Sequence, residues 1–402
     1  MPGALAGVKV LDLSQMWAVP GAGMYLADQG ADITKVEPPW GDDARRLVTA
    51  SPLKGENRHF LLVNRGKRGI VVDITNPEGR GIIYRLIQRV DVLLHNFRPG
   101  VAERLGYGYD TLRALNPRLI FVEVTPFGLK GPYADKRGYD LVTQGLTGIL
   151  SRRRMPDGTP IEAPVWVADC SAPMLIAYGV VLALLARERT GRGQKVETSL
   201  LAAAIAMQSV EMVRGVEEVN PPTSYAVQAM FAPYRCRDGE WLVLVVANNE
   251  QWNRLCKVLG IAHVAADPGF STALARSERS GELASILEGV FATKPREEWL
   301  ELLQAEEVPC APVLEREEVF NHAQVLENEL IVEVDHPRAG RVRQMGLPVR
   351  LSEMPGALGS PAPAFDQHTD EVLREVGCTA DEIRALREKG IVGKGGQLCA
   401  SG

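Results

Sequence analysis

The stretch "VKVLDL" (8–13), with "GAGMYLADQG" (21–30) and "DITKVE" (32–37) behind it, decides the fold. The outer pieces are compact β-branched runs and the middle one is helix-compatible, so the three read strand, helix, strand. The alternation continues after a polar, Pro-containing loop at 38–56. "GIVVDI" (69–74) reads as a strand and "PEGRGIIYRLIQRV" (77–90) as a helix, with Asn76 as N-cap and Pro77 at its first position. Strand "DVLLHNF" (91–97), helix "YDTLRAL" (109–115) and strand "LIFVEVTPF" (119–127) complete the series. Strands alternating with helices at this spacing predict an α/β fold, a Rossmann-like parallel sheet with helices on both faces.

Beyond it, "MLIAYGVVLALLARERTGRG" (174–193) predicts a buried helix closed by a basic last turn and Gly191. A strand (194–200) and a helix (201–215) come next, and Pro221-Pro222 marks 216–229 as a linker. Residues 230–325 read as a smaller α/β domain, with strand 241–247, helices near 250–259, 281–292 and 296–305, and a turn or strand at 307–314. The expected organisation is thus 1–215 as the first part of a large domain, 230–325 inserted, and 326–392 returning to the large domain. The tail 393–402 lacks periodicity and is expected to be disordered.

Composition narrows the chemistry. The chain has 402 residues, 46% hydrophobic, and a net charge of −5, so nothing marks a nucleic-acid binder. Its six cysteines (170, 236, 256, 310, 378, 399) form no C-x-x-C pair and its six histidines no H-E-x-x-H, so no metal site is expected. "MPGALAGVKVLDLS" is not built like a signal peptide, and the longest apolar run, Met174–Ala186, falls short of the roughly 20 residues a bilayer span needs. The expectation is a soluble, cytoplasmic enzyme with no membrane partner.

Candidate sites compete with plainer readings. Gly21-x-Gly23 after the first strand, with Glu37 ending the second, hints at a dinucleotide fingerprint and an NAD-dependent oxidoreductase; Leu26 stands where the third glycine belongs, and a tight turn into a helix explains the pattern as well. "SRRRMPDG" (151–158), a basic run followed by a turn signal, is a solvated loop or a steering patch for an anion, and Cys170 a small core residue or a thiolate. Asp169, in "APVWVADCSAPM" (163–174), would ordinarily cap the helix it opens. A desolvated carboxylate there could instead attack a thioester carbonyl, with first-turn N–H groups holding the oxyanion.

Seven segments in order carry a resemblance: "GADITKVEPPWGDDAR", "NRGKRGIVVDITNPEGR", "LLHNFRPGVAERLG", "NPRLIFVEVTPFGLKGPY", "RGYDLVTQGLTG", "VADCSAPM…LLARERTGRGQKVETSL" and "VPCAPVL". Together they resemble the family III coenzyme A transferases, the group of formyl-CoA transferase and carnitine CoA-transferase. The resemblance implies that Asp169 is the nucleophile. It implies that Asn96, Phe97, Arg98, Arg104 and Arg137 lie along the CoA site, that the turn Met16-Trp17-Ala18 faces the thioester, and that Tyr139 orients the acyl group. The sequence departs from formyl-CoA transferase at Trp17 (a glutamine there), at Pro38 (a basic contact there) and in lacking a glycine-rich loop near the linker. The implication therefore stops at the family and does not reach the formyl/oxalyl pair.

The function so implied is CoA transfer between an acyl-CoA donor and a carboxylic acid acceptor, with CoA as substrate, no other cofactor, and an interlocked homodimer. The 2-methylacyl-CoA racemases are the neighbouring alternative. They carry a histidine base where this chain has Tyr139, and a phenol is a poor base at neutral pH. A CoA-binding module without chemistry is the non-enzyme alternative.

Overall fold

The alternation that begins at residue 8 becomes one six-stranded sheet. Its strands are Lys9–Asp12 (β1), Asp32–Glu37 (β2), Lys67–Val71 (β3), Val92–His95 (β4), Ile120–Thr125 (β5) and Lys195–Ser199 (β6), all parallel, in the order β3-β2-β1-β4-β5-β6. The helices between them are Ala18–Asp28 (α1), Arg58–Val63 (α2), Pro77–Ile87 (α3), Val101–Leu105 (α4), Tyr109–Leu115 (α5), Asp140–Leu146 (α6) and Val167–Thr190 (α7), and Leu200–Ala206 (α8) follows β6. The structure, a computed structural model, describes residues 3–47, 52–218 and 229–393. The expected linker at 216–229 and tail at 393–402 fall largely outside the described residues.

Both sheet faces are covered, as a parallel sheet requires. On one side Val10, Ile33, Val92, Leu94, Ile120 and Val122 pack against α1 and α7; on the other, Leu11, Val36, Ile70, Leu93 and Phe121 meet α3, α5 and the C-terminal helices Thr369–Glu375 and Ala380–Glu388. The C-terminal segment is stitched to β3: the Val71 and Gly69 N–H groups donate to Thr369 Oγ1 (3.0 Å) and His368 Nδ1 (3.1 Å). Local signals behave as read. Asn76 caps α3 with Pro77 in its first turn, and Gly191 ends α7 in the left-handed conformation.

The largest correction concerns α7. The apolar pattern placed its start at 174, but it begins at Val167 and runs 24 residues through Pro173. By length and composition it could cross a membrane. Its Ala168, Ala172, Ile176, Val180 and Ala183, however, are buried in the sheet's core. Proline has no N–H, so the Asp169 carbonyl one turn back loses its intrahelical donor. Gly21 makes room for this: a Cβ there would sit 3.0 Å from Pro173, so any side chain would wedge α1 away from α7.

The chain divides into two compact units, Met1–Val213 with Gln324–Gly402, and Arg214–Ala323. The second holds an antiparallel sheet of Phe231–Arg235, Trp241–Val245 and Cys310–Pro312. Helices Asn249–Leu259, Ser280–Phe291 and Arg296–Ala305 pack Trp252, Leu283, Leu287, Phe291 and Trp299 around its buried Leu242 and Leu244.

Candidate active site

Strand order reverses between β1 and β4, and the carboxyl ends of strands at such a switch point frame a crevice. The crevice here measures about 200 Å³. Met16, Trp17 and Ala18 enter from the turn after β1, Asn96 and Arg98 from the end of β4, Lys136, Arg137 and Tyr139 from the segment before α6, and Asp169 from α7. The structure thus brings together most residues that the resemblance implies. Phe97 and Arg104 do not line this crevice: Phe97 stacks on His95 (5.1 Å), and Arg104 is exposed on α4.

The β1 turn is built tightly. Met16 adopts a φ of 71°, a left-handed conformation rarely held by a residue with a side chain. Its N–H donates to Asp42 Oδ1 (3.1 Å), and Asp42 pairs with the fully buried Lys35 (2.8 Å), which also donates to the Ser14 carbonyl (2.8 Å). Asn96 clamps the turn from β4, accepting from the Gln15 N–H (3.1 Å) and donating to the Gln15 carbonyl (2.8 Å). On the opposite lip a Cβ at Gly138 would lie 2.6 Å from Pro126 and Phe127, so glycine lets Arg137 and Tyr139 lie flush against the end of β5.

The dinucleotide reading fails here. Gly21 and Gly23 lie inside α1, not in the turn before it, and serve packing: a Cβ at Gly23 would sit 3.0 Å from Lys67 Nζ. Glu37 is buried and forked on Arg45 (2.7 Å to each carboxylate oxygen), so it is not free to hold a ribose.

Asp169 does not cap α7. Trp166 occupies the N-cap position without a side-chain cap bond, and the buried Asp140 supplies the acceptor from α6. Asp140 Oδ1 takes the N–H groups of Ala168 (2.7 Å) and Asp169 (3.2 Å). Those two N–H groups are therefore spent, which removes them as the expected oxyanion donors. The bridge also sets a second carboxylate close to Asp169: burial first, then the Asp140 charge, pushes the Asp169 carboxyl up to about 7. The proton on this carboxyl is exchangeable near neutrality, and its ionised form is poorly solvated, hence reactive. The same surroundings, burial and then Asp169 and Asp140, raise the Cys170 thiol above its ordinary value, which argues against a thiolate there.

Of the basic run 151–154, Arg152 pairs with Glu211 and Arg154 donates to the Gly158 carbonyl (2.9 Å), while all four residues are exposed. Tyr139 is 63% exposed at the start of α6. Trp17 stacks on Trp166 with ring centroids 4.3 Å apart and planes 6° from parallel, and His59 leans on both at 5.1 and 4.9 Å. Sequence reasoning missed Asp140, Trp166, His59 and Lys136. The signals were at hand for two: Asp140 follows Tyr139 in "RGYDLV", and Lys136 precedes Arg137. Among the described residues no group of three or more His, Cys, Asp or Glu is arranged to hold a metal ion.

A cation-lined crevice at the switch point, with a near-neutral carboxylate in its wall, is the geometry of an α/β enzyme for an anionic substrate. Comparison with known proteins specifies which. The model of CoA-transferase family III matches residues 5–369, and the chain belongs to that family. It is 34% identical over 404 residues to an acyl-CoA transferase of Fusarium pseudograminearum (97% of this chain, 88% of the relative). It is 33% identical to the succinyl-CoA:glutarate CoA-transferase of Mus musculus (92% of this chain, 86% of the relative). Among solved structures, Rv3272 of Mycobacterium tuberculosis superposes with a TM-score of 0.83 at 30% identity, covering 92% of this chain and 99% of that one.

Proposed function

We propose that this CoA-transferase moves CoA from an acyl-CoA donor to a free carboxylic acid through covalent intermediates on Asp169. The observation that carries the reading is the Asp169 carboxyl itself, half-buried, relieved of capping duty by Asp140, and lining the same crevice as Arg98, Lys136 and Arg137. An ionised Asp169 oxygen attacks the thioester carbonyl; the C–S bond breaks and CoA leaves as thiolate, giving a mixed anhydride. The thiolate attacks the aspartyl carbonyl, releasing the donor acid and leaving an aspartyl-CoA thioester. The acceptor carboxylate attacks that thioester to form a second anhydride, and the thiolate takes the new acyl group, restoring Asp169. The acyl bond stays activated throughout, and the sequence consumes no metal or redox equivalent. Guanidinium and ammonium groups on the β4 and β5 lips suit the CoA phosphates. Proton exchange at the α-carbon, the racemase alternative, would need a base facing Asp169, and Tyr139 is a phenol.

The same reading includes a homodimer in the cytoplasm. Its support is an exposed apolar stripe along α7, formed by Met174, Tyr178, Val181, Leu182 and Leu185, beside Ile205 and Met207 at the end of α8. An apolar stripe of this kind on a helix suits a face covered by a second copy. The five cysteines in the described residues are free thiols, which suits a reducing compartment.

The test is chemical trapping. Wild-type protein incubated with an acyl-CoA donor and then hydroxylamine should acquire a hydroxamate at Asp169 alone, read by peptide mass spectrometry. Asp169→Ala should remain folded, bind CoA and lose at least ~10³-fold in turnover, the scale of deleting a covalent nucleophile. An alanine variant with substantial activity ends this mechanism.

A further inference from the structure

We propose that the acyl side of the crevice is an aromatic slot, and that it takes carboxylic acids with a flat, uncharged body, an aromatic ring foremost, in preference to dicarboxylates. The inference rests on the transferase reading above and concerns which acids are exchanged.

The two sides of the switch point differ in kind. The cations, Arg98, Lys136 and Arg137, come after β4 and β5. The aromatic groups gather on the β1 side, where Trp17 lines the crevice and stacks on Trp166, with His59 of α2 tilted against both. Trp17 also rests on the buried cluster of Ala44, Phe60, Leu61, Ala339 and Ala362, which fixes the wall from behind. Trp166 stands three residues before Asp169 and its carbonyl accepts the Cys170 N–H (2.8 Å), so the wall and the nucleophile share the first turn of α7.

The charges behind this wall are matched. Arg45 lies over the Phe60 ring at 3.7 Å but is forked on Glu37, and Lys35 is paired with Asp42. His59 is held toward its neutral form by burial. An acyl group with a second carboxylate turned to the β1 side would press that charge against indole surface, away from the cations on the β4 and β5 lips, and lose hydration. A ring would instead pack against the Trp17 indole where it lines the crevice, in the offset or edge-on geometry that aromatic pairs favour.

The experiment uses the full-length protein with phenylacetate and benzoate set against succinate and glutarate as acceptors, and the exchange of CoA is followed by mass spectrometry. The aryl acids should show a kcat/KM at least ~10-fold above the dicarboxylates, the discrimination a shaped apolar pocket can supply. Trp17→Ala should cut the aryl-to-dicarboxylate ratio at least ~10-fold, Trp17→Phe should restore most of it, and His59→Lys should tilt the ratio toward dicarboxylates. Circular dichroism and CoA binding establish that the variants fold. A wild type that prefers succinate or glutarate, or a ratio that Trp17→Ala leaves unmoved, overturns the slot while leaving the transferase intact. Absence of exchange with every acid, together with no trapped adduct on Asp169, removes the transferase reading and the slot with it.

Discussion

Asp12 and Asp169 are the same side chain in the same unit, and the surroundings drive them in opposite directions. Asp12, at the end of β1, is fully buried. Burial alone would raise its carboxyl, but Lys67 and Lys35 beside it, with hydrogen bonds from Lys67 (2.9 Å) and Ser14 (2.5 Å), hold it below the usual carboxylate range. Asp169 is less buried and lies far higher: burial raises it, and the Asp140 carboxylate adds to the rise where Asp12 has lysines to offset it. Depth alone does not decide what a carboxylate does; the charge beside it decides whether the effect of burial is offset or reinforced. The first is a fastener beneath the β1 turn, the second a reagent.

The comparison breaks most violently if Asp12 loses its cation. Lys67→Met strips the buried Asp12 carboxylate of its hydrogen-bonded ion-pair partner, leaving only Lys35 nearby, and should cost about 3–5 kcal/mol, lowering the denaturation midpoint by urea at neutral pH. Much of that loss should be recovered on acidification, as Asp12 takes up a proton. A variant as stable as the parent would show that the pair carries no such load.

Asp169 should behave as a liability for stability. Its folded carboxyl binds a proton more tightly than the ordinary value of 3.8, so its contribution to stability is fully present below about pH 4 and lost as pH rises to about 7. Asp169→Asn, neutral at every pH, should therefore raise Tm by several degrees at pH 8 and by little at pH 4. The gain has a ceiling on the order of 4 kcal/mol, lowered by the solvent that reaches a half-buried group. Equal gains at both values would mean that the charge is not the source.

The smallest effect sharpens the comparison. Asp140→Asn keeps a capping oxygen for α7 while removing the charge. Because ionised Asp169 is the attacking form, turnover should rise with pH through the Asp169 pKa, and this variant should move that limb to lower pH. It should stay above the ordinary carboxylate value, since burial is the larger cause. A limb that does not move would leave Asp140 as a cap only.

The inner strands of the sheet were legible because their β-branched runs are buried on both faces, a pattern few other arrangements produce. Asn76, Pro77 and Gly191 were legible for a local reason: each meets a need of its own backbone within a few residues. Gly21 and Gly23 misled because their need is distant. One clears Pro173 and the other Lys67, and no window of sequence holds both partners. The same limit hid Asp140, whose side chain answers to N–H groups 28 and 29 residues away. The start of α7 was obscured by its own composition, since Trp166, Val167 and Ala168 read as loop until Asp140 supplies the missing acceptor.

That bridge also has a mechanical side. Tyr139 immediately precedes Asp140, Gly138 is seated against the end of β5, and Asp140 grips the head of α7. The lip that presents Arg137 and the helix that presents Asp169 are therefore bolted to a common mount, as two jaws of a vice share a frame. The β1 turn across from them is held in its own right by Asn96 and Asp42, so the spacing between Arg137 and Asp169 is a matter of stiffness that no ligand has to supply.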